Sequence, residues 1–166
     1  IIERNKTERA IDGIKYIKLD GQKYTFYEVC NFDEEKDIIA FEDINAIKVE
    51  HSVYDYVIYD SDTVETPFAE ALDSDPDVKL FFKIPQRFKI STPLSNYSPD
   101  WAVYMEKEGE KKMYFVLETK GTTDEHNLRP SEQLKIRCGR EHFKALGNEI
   151  EYEFAKDWQE LKRSKV

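Results

Sequence analysis

The most constraining feature of this sequence is an apolar and aromatic run, Tyr114 to Leu117, that ends in Glu118-Thr119-Lys120. An uninterrupted apolar run of this kind is typical of a buried strand in a central sheet. Because side chains in a strand alternate between the two faces of a sheet, Glu118 and Lys120 are predicted to point the same way. The core strand is therefore expected to end in two opposite charges on one face.

A second strand is predicted from Asp100 to Met105, joined by a charged turn to the strand that ends in Glu118 and Lys120. If the two strands pair as a hairpin, Asp100 comes onto the same face as those two residues. Two carboxylates beside an ammonium favour a hydrolytic magnesium site, because oxygen ligands hold this hard cation while the lysine orients or deprotonates a water and balances charge. The bare pattern also fits a surface hairpin with solvated charges.

An amphipathic helix is predicted upstream of this hairpin, with one stripe formed by Glu65, Phe68, Ala69 and Leu72. Two readings of Glu65 follow. With Asp62 it forms a capping box at the start of the helix, or it is a third acidic group that faces the metal. A start with Thr66 as the N-cap would instead leave Glu65 just outside the helix. Glu70 lies off the stripe and is the weaker candidate for the helix acid.

A longer helix is predicted from about Pro130 to Leu146, with proline in its first turn and Gly147 as its stop. Its basic residues form either a solvated face or a phosphate-facing ridge beside the site. The candidates for DNA binding on or next to this helix are Arg129, Lys135 and Arg140, and Lys89 is a further candidate upstream. Cys138 and His142 have the spacing of two metal ligands on one helical face, but the sequence offers no second pair for zinc.

Composition limits the class of protein. A chain of 166 residues with 40% hydrophobic residues suits a globular domain with a real core. No apolar run approaches the roughly 20 residues of a membrane span, and two cysteines make no disulfide framework, so a reducing cytoplasm is expected. The net charge of −9 argues against indiscriminate nucleic-acid binding. It does not exclude a nuclease that has a carboxylate metal site and a local basic rim.

The predicted order of elements from the helix that carries Glu65 onward is α-β-β-β-α-β, and it resembles the PD-(D/E)xK nuclease fold. Several further motifs agree in order with the C-terminal endonuclease domain of the Res (restriction) subunit of type III restriction enzymes, over about Val53 to Leu146. These motifs are YDYVIYDS at 54–61, ExxFAxxL at 65–72, KxP at 83–85, FKIxTP at 88–93, YxPDWA at 97–102, ETKG at 118–121 and ExxKIxC at 132–138.

The resemblance implies an α/β (α+β) fold, with a mixed central sheet flanked by helices and a small N-terminal β-rich element. We expect residues 1–52 to form that element, as a linker from a motor domain, and residues 53–166 to form the nuclease domain. The sequence lacks a G-x-x-x-x-G-K-[ST] loop. It is therefore expected to be a piece of a longer Res subunit whose ATP-driven, helicase-like motor lies elsewhere.

The resemblance also implies Mg²⁺-dependent cleavage of double-stranded DNA, with Mn²⁺ as a possible substitute. Carried over by position, Asp100 and Glu118 would bind the metal through their carboxylates and Thr119 through its backbone carbonyl. Lys120 would position the attacking water, and Glu65 would orient the metal's surroundings. The expected partners are DNA, the motor of the same subunit and the Mod methyltransferase subunit, in a bacterial cytoplasm and away from membranes.

Two alternatives remain open. The first is a catalytically silent DNA-binding or subunit-contact module of the same fold, against which the intact set of Asp100, Glu118 and Lys120 argues. The second is a nuclease of the same fold that serves repair or defence outside restriction.

Overall fold

The computed structural model describes residues 45–60, 62–85, 88–91, 96, 98–118, 128–147 and 150–165, with only the backbone described at 117 and 118. Most of the predicted N-terminal element, together with Thr119 and Lys120, therefore lies outside the described residues. The elements in chain order are strands β1 (Ala46–Lys48) and β2 (Tyr56–Ile58), helix α1 (Glu65–Asp73), strands β3 (Val78–Lys83), β4 (Trp101–Lys107) and β5 (Glu110–Glu118), helix α2 (Pro130–Leu146), strand β6 (Ile150–Ala155) and helix α3 (Trp158–Lys165).

The central sheet has four strands in the order β3-β4-β5-β6. The first two pairings are antiparallel and the third, between β5 and β6, is parallel. A parallel pair needs a crossover connection, and α2 supplies it. The hairpin between β4 and β5 turns at Glu108 and Gly109, whose φ angles are 52° and 86°, as expected for a tight two-residue turn. The predicted α-β-β-β-α-β order and mixed sheet are confirmed, and the fold is restriction-endonuclease-like.

Helices cover both faces of the sheet. On the first face, Phe68 of α1 stacks on Trp101 of β4 with ring centroids 5.4 Å apart, and Trp158 of α3 packs edge-on against Tyr114 of β5. On the second face, α2 packs Phe143 on Phe115 of β5 at 4.2 Å. Cores of this kind make large aromatic side chains costly to truncate, by about 3–5 kcal/mol for a buried phenylalanine.

The start of α1 differs from the capping box predicted for Asp62 and Glu65. The N-cap residue is Val64, and no side chain caps the helix. Glu65 is the first helical residue, and its carboxylate accepts hydrogen bonds from Asp60 and Lys83 instead. The capping-box interpretation is therefore wrong, because a tertiary ion pair occupies the carboxylate that the local pattern assigned to the helix end.

Helix α3 is fastened to the rest of the fold by Asp75, which lies in the turn between α1 and β3. Its carboxylate accepts hydrogen bonds from Trp158 Nε1 at 2.8 Å and from Lys162 Nζ at 2.6 Å. Burial raises the pKa of Asp75, but the hydrogen bonds from Lys162, Trp158 and the Asp77 amide outweigh it and hold the pKa below its ordinary value. Asp75 is the buried charged residue that ties the last helix to the sheet.

Residues 45–52 contact the elements that follow them. Strand β1 pairs with β2 in antiparallel register, and Ser52 bridges to Phe81 of β3. The predicted boundary between residues 52 and 53 stays a prediction. Among the described residues, no helix is both long and apolar enough to cross a membrane.

Candidate active site

Three strand ends meet at one end of the central sheet, and two of them carry predicted site residues. Strand β3 ends at Lys83, β4 begins after Asp100, and β5 ends at Glu118. The antiparallel register places Lys83 opposite Trp101, and Trp101 opposite Val116. Residues that are far apart in sequence therefore lie at neighbouring strand ends.

Asp100 is anchored on both sides by its backbone. Its amide donates to the Val116 carbonyl at 2.8 Å, and its carbonyl accepts from the Ile84 amide at 2.7 Å. Neighbouring strands lie about 4.8 Å apart and a strand rises about 3.4 Å per residue, so the backbones of Asp100 and Glu118 lie within about 10 Å of each other. Asp100 is half-buried in a bend just before β4. The expected position of its carboxylate on the same face as Glu118 stays a prediction.

Glu118 is the last residue of β5, and its backbone pairs with Ala155 of β6. Earlier in β5, Tyr114 and Val116 are buried on the first face, on which α1 lies. The Glu118 side chain, Thr119 and Lys120 are outside the described residues, so their proposed roles stay predictions.

Glu65 lies at the same end of the sheet, in the first turn of α1. Its Oε2 is 2.8 Å from Lys83 Nζ and accepts a 2.6 Å hydrogen bond from the Asp60 amide. Its side chain is only 14% exposed, whereas Glu70 is an exposed residue further along α1. Of the two acidic residues considered for the helix position, Glu65 is the one beside the strand ends.

Lys83 is a member of this cluster that begins the KxP motif but was given no functional role from the sequence. Its ammonium also lies 3.3 Å from the Ile58 carbonyl and 3.4 Å from Asp60 Oδ2. The sequence pattern that could have indicated its role is a lysine at the last position of an apolar strand. On the first face it follows Phe81 by two positions, so strand alternation directs it toward α1.

The donor chemistry at this end suits a hard divalent cation. Glu65 and Asp100 are acidic residues at this end of the sheet, and carboxylate oxygens are the ligands that Mg²⁺ takes. Among the described residues, which do not include the Glu118 side chain, no group of three or more His, Cys, Asp or Glu is gathered closely enough to hold a metal ion. The acidic residues at this end of the sheet are of the type that binds Mg²⁺.

The basic candidates on α2 differ in their surroundings. Because α2 runs antiparallel to β5 and β6, its N-terminal end lies at the end of the sheet that carries Glu118. Arg129 is exposed at that end, and Lys135 is partly buried one to two turns further along. Arg140 lies past the middle of the helix, 3.1 Å from Glu153 and over the Phe154 ring. Arg140 thus has contacts within the fold in addition to its predicted role in DNA binding.

The structure also describes three other residues considered in the sequence analysis: Lys89, Cys138 and His142. Lys89 is exposed in the segment between β3 and β4. Cys138 is buried in α2, and burial lowers the pKa of His142. The described residues around that pair supply no further metal ligand group.

Comparison with known families identifies an endonuclease domain. The family model for an endonuclease domain matches residues 50–158, which is well over half of the chain. No curated protein and no solved structure is significantly similar to the chain. The matched range includes α1, the whole central sheet and every described residue of the candidate site.

Proposed function

Because the chain belongs to the endonuclease-domain family, we propose that it cleaves phosphodiester bonds of double-stranded DNA in a Mg²⁺-dependent reaction, as the nuclease part of a type III restriction enzyme. The observation that carries the proposal is the meeting of Asp100, the end of β5 and Glu65 at one end of the sheet. Hydrolysis of a phosphodiester requires acidic groups and a cation at one place. The presence of Glu65 and of the Asp100 and Glu118 backbones at this end of the sheet supports the proposal.

When bound, Mg²⁺ would polarise the scissile phosphate and offset the charge that develops on it. Asp100 and Glu118 would hold the cation through carboxylate oxygens, with the Thr119 carbonyl as a further ligand. Lys120 would orient the attacking water and stabilise the developing negative charge. Glu65 would orient the surroundings of the cation from the start of α1.

DNA would approach from the end of the sheet at which α2 begins. Arg129 and Lys135 lie on the half of α2 nearest that end, and cations there would offset the repulsion between phosphate and a chain of net charge −9. The remaining affinity and the choice of sequence would come from the partners expected from the family resemblance. These are the ATP-driven motor of the same subunit and the Mod methyltransferase, in the bacterial cytoplasm.

The test uses the full-length Res subunit assembled with Mod on a DNA that carries recognition sites. Asp100→Ala and Lys120→Ala should each abolish cleavage while ATP hydrolysis continues at the wild-type rate. Removal of Mg²⁺ by a chelator should stop cleavage, and Mn²⁺ should restore it. Continued cutting by either variant would contradict the assignment of the site, and a wild-type complex that binds DNA without cutting it would favour a silent module.

A further inference from the structure

Lys83 joins three separate segments at the site end of the sheet. Its ammonium lies 2.8 Å from Glu65 Oε2, 3.3 Å from the Ile58 carbonyl and 3.4 Å from Asp60 Oδ2. The Lys83 and Glu65 side chains are 24% and 14% exposed, so their ion pair is partly shielded from water. Shielding strengthens the pair relative to a surface salt bridge, which typically contributes little.

The backbone next to Lys83 holds the second acidic residue. Lys83 is paired in register with Trp101, and the Ile84 amide donates to the Asp100 carbonyl at 2.7 Å. A single two-residue segment at the end of β3 therefore contacts Glu65 through a side chain and Asp100 through an amide. Any shift of this segment would move the two acidic residues relative to each other.

The carboxylate of Glu65 is held by two donors on one oxygen. Oε2 accepts from Lys83 Nζ at 2.8 Å and from the Asp60 amide at 2.6 Å. Two donors on one oxygen restrict rotation of the carboxylate, and so fix the direction of its other oxygen. Positioning by a charged hydrogen-bond partner is the usual way in which ligands of a metal site are oriented, and loss of such a partner typically weakens metal binding about 10–100-fold.

We infer that Lys83 is a positioning residue of the nuclease site, which holds the Glu65 carboxylate in the orientation that supports Mg²⁺ binding. The inference rests on the proposed function, since it assigns a role at the same site. Lys83 acts through Glu65 and does not itself contact the metal or the scissile phosphate. Its removal should therefore weaken metal binding only while the Glu65 carboxylate is present.

The test is calorimetric titration of Mg²⁺, and separately Mn²⁺, into this chain and its variants. Lys83→Met keeps the length of the side chain but removes its charge, and should weaken binding about tenfold or more. Lys83→Arg should recover most of the affinity. Lys79→Met is the matched control, because Lys79 is an exposed lysine of the same strand whose ammonium contacts the Pro76 carbonyl; it should bind as the wild type does.

A double-variant comparison separates positioning from a structural role. In a Glu65→Gln background, adding Lys83→Met should change metal affinity less than twofold, because the group that Lys83 positions is already gone. Wild-type affinity in Lys83→Met, or an equal loss in both backgrounds, would overturn the inference while leaving the proposed function intact. A wild-type chain with no detectable Mg²⁺ or Mn²⁺ binding would instead count against the proposed function, and the inference would fall with it.

Discussion

The Ile84 amide donates a 2.7 Å hydrogen bond to the Asp100 carbonyl, which locks the end of β3 to the residue just before β4. This bond places the backbone of Asp100 next to the segment that also holds Glu65 through Lys83. The relative positions of the two acidic residues are thus set by sheet pairing and not by a flexible loop. Rigid support of this kind is what a hydrolytic site requires, because small displacements of catalytic groups cost large factors in rate.

Glu65 and Glu70 provide a matched pair on one helix. We expect Glu65→Gln to reduce DNA cleavage by the full-length enzyme about 10–100-fold, because a neutral amide cannot form the ion pair with Lys83 and orients the surroundings of the cation less well. Glu70→Gln should cleave as the wild type does, since Glu70 is exposed and away from the strand ends. The measurement is the single-turnover cleavage rate of each variant, and equal rates for both would remove Glu65 from the site.

Helix α1 shows where local sequence patterns stopped being sufficient. The apolar stripe of Phe68, Ala69 and Leu72 predicted the helix and its buried face, and those three residues are buried against the sheet. The pattern of Asp62 and Glu65 also fitted a capping box. The Glu65 carboxylate instead pairs with Lys83, 18 residues further along the chain, and a contact of that kind depends on sheet register, which helix-end patterns do not contain.

Helix α2 was predictable because its boundaries have local causes. Proline is well placed at the first helical position and glycine follows the last, and the observed helix is Pro130–Leu146 as predicted. Glu132 also accepts a hydrogen bond from the Arg129 amide at 2.9 Å, which caps the helix start. The ion pair of Arg140 with Glu153 was not predictable, since it requires the crossover to lay α2 along β6.

The Asp75 cluster predicts how the chain responds to acid. Because the folded state holds the pKa of Asp75 below its ordinary value of 3.8, the carboxylate stabilises the fold above that pH. This contribution is lost as the pH falls through the lowered pKa of the folded state. The partners Trp158 and Lys162 lie 83 and 87 residues away in sequence, which is why no local pattern indicated the cluster.

We expect Asp75→Asn to lower the free energy of unfolding at pH 7 by about 2 kcal/mol, because it removes the buried charge that Lys162 and Trp158 contact, while Lys162 keeps its ion pair with Asp77. Below about pH 4 the difference in free energy of unfolding between Asp75→Asn and the wild type should become smaller. The exposed Asp62→Asn is the control and should stay within about 0.5 kcal/mol of the wild type. Denaturant unfolding at pH 7 and pH 3 measures the free energies of unfolding of both variants and of the wild type. A difference between Asp75→Asn and the wild type that is larger at pH 3 than at pH 7 would contradict the role given to Asp75.

A comparison of variants at Arg140 and Lys135 should distinguish a residue that stabilises the fold from one that binds DNA. We expect Arg140→Ala to lower the free energy of unfolding by about 1 kcal/mol, since it loses the Glu153 pair and the contact with the Phe154 ring. Lys135→Ala should instead weaken DNA binding and reduce the slope of log affinity against log salt by about 0.9. Binding measured at several salt concentrations, alongside thermal unfolding, compares the two variants. A larger change in salt slope for Arg140→Ala than for Lys135→Ala would reverse their roles.

The most direct measurement is calorimetric titration of Mg²⁺ into the wild-type chain, Asp100→Ala and the exposed control Asp55→Ala. If Asp100 supplies a metal carboxylate beside Glu118, the wild type and Asp55→Ala should bind the cation equally, and Asp100→Ala should bind it at least tenfold more weakly with its fold unchanged by circular dichroism. Equal Mg²⁺ affinity in the wild type and Asp100→Ala would contradict a metal-dependent nuclease site at this end of the sheet.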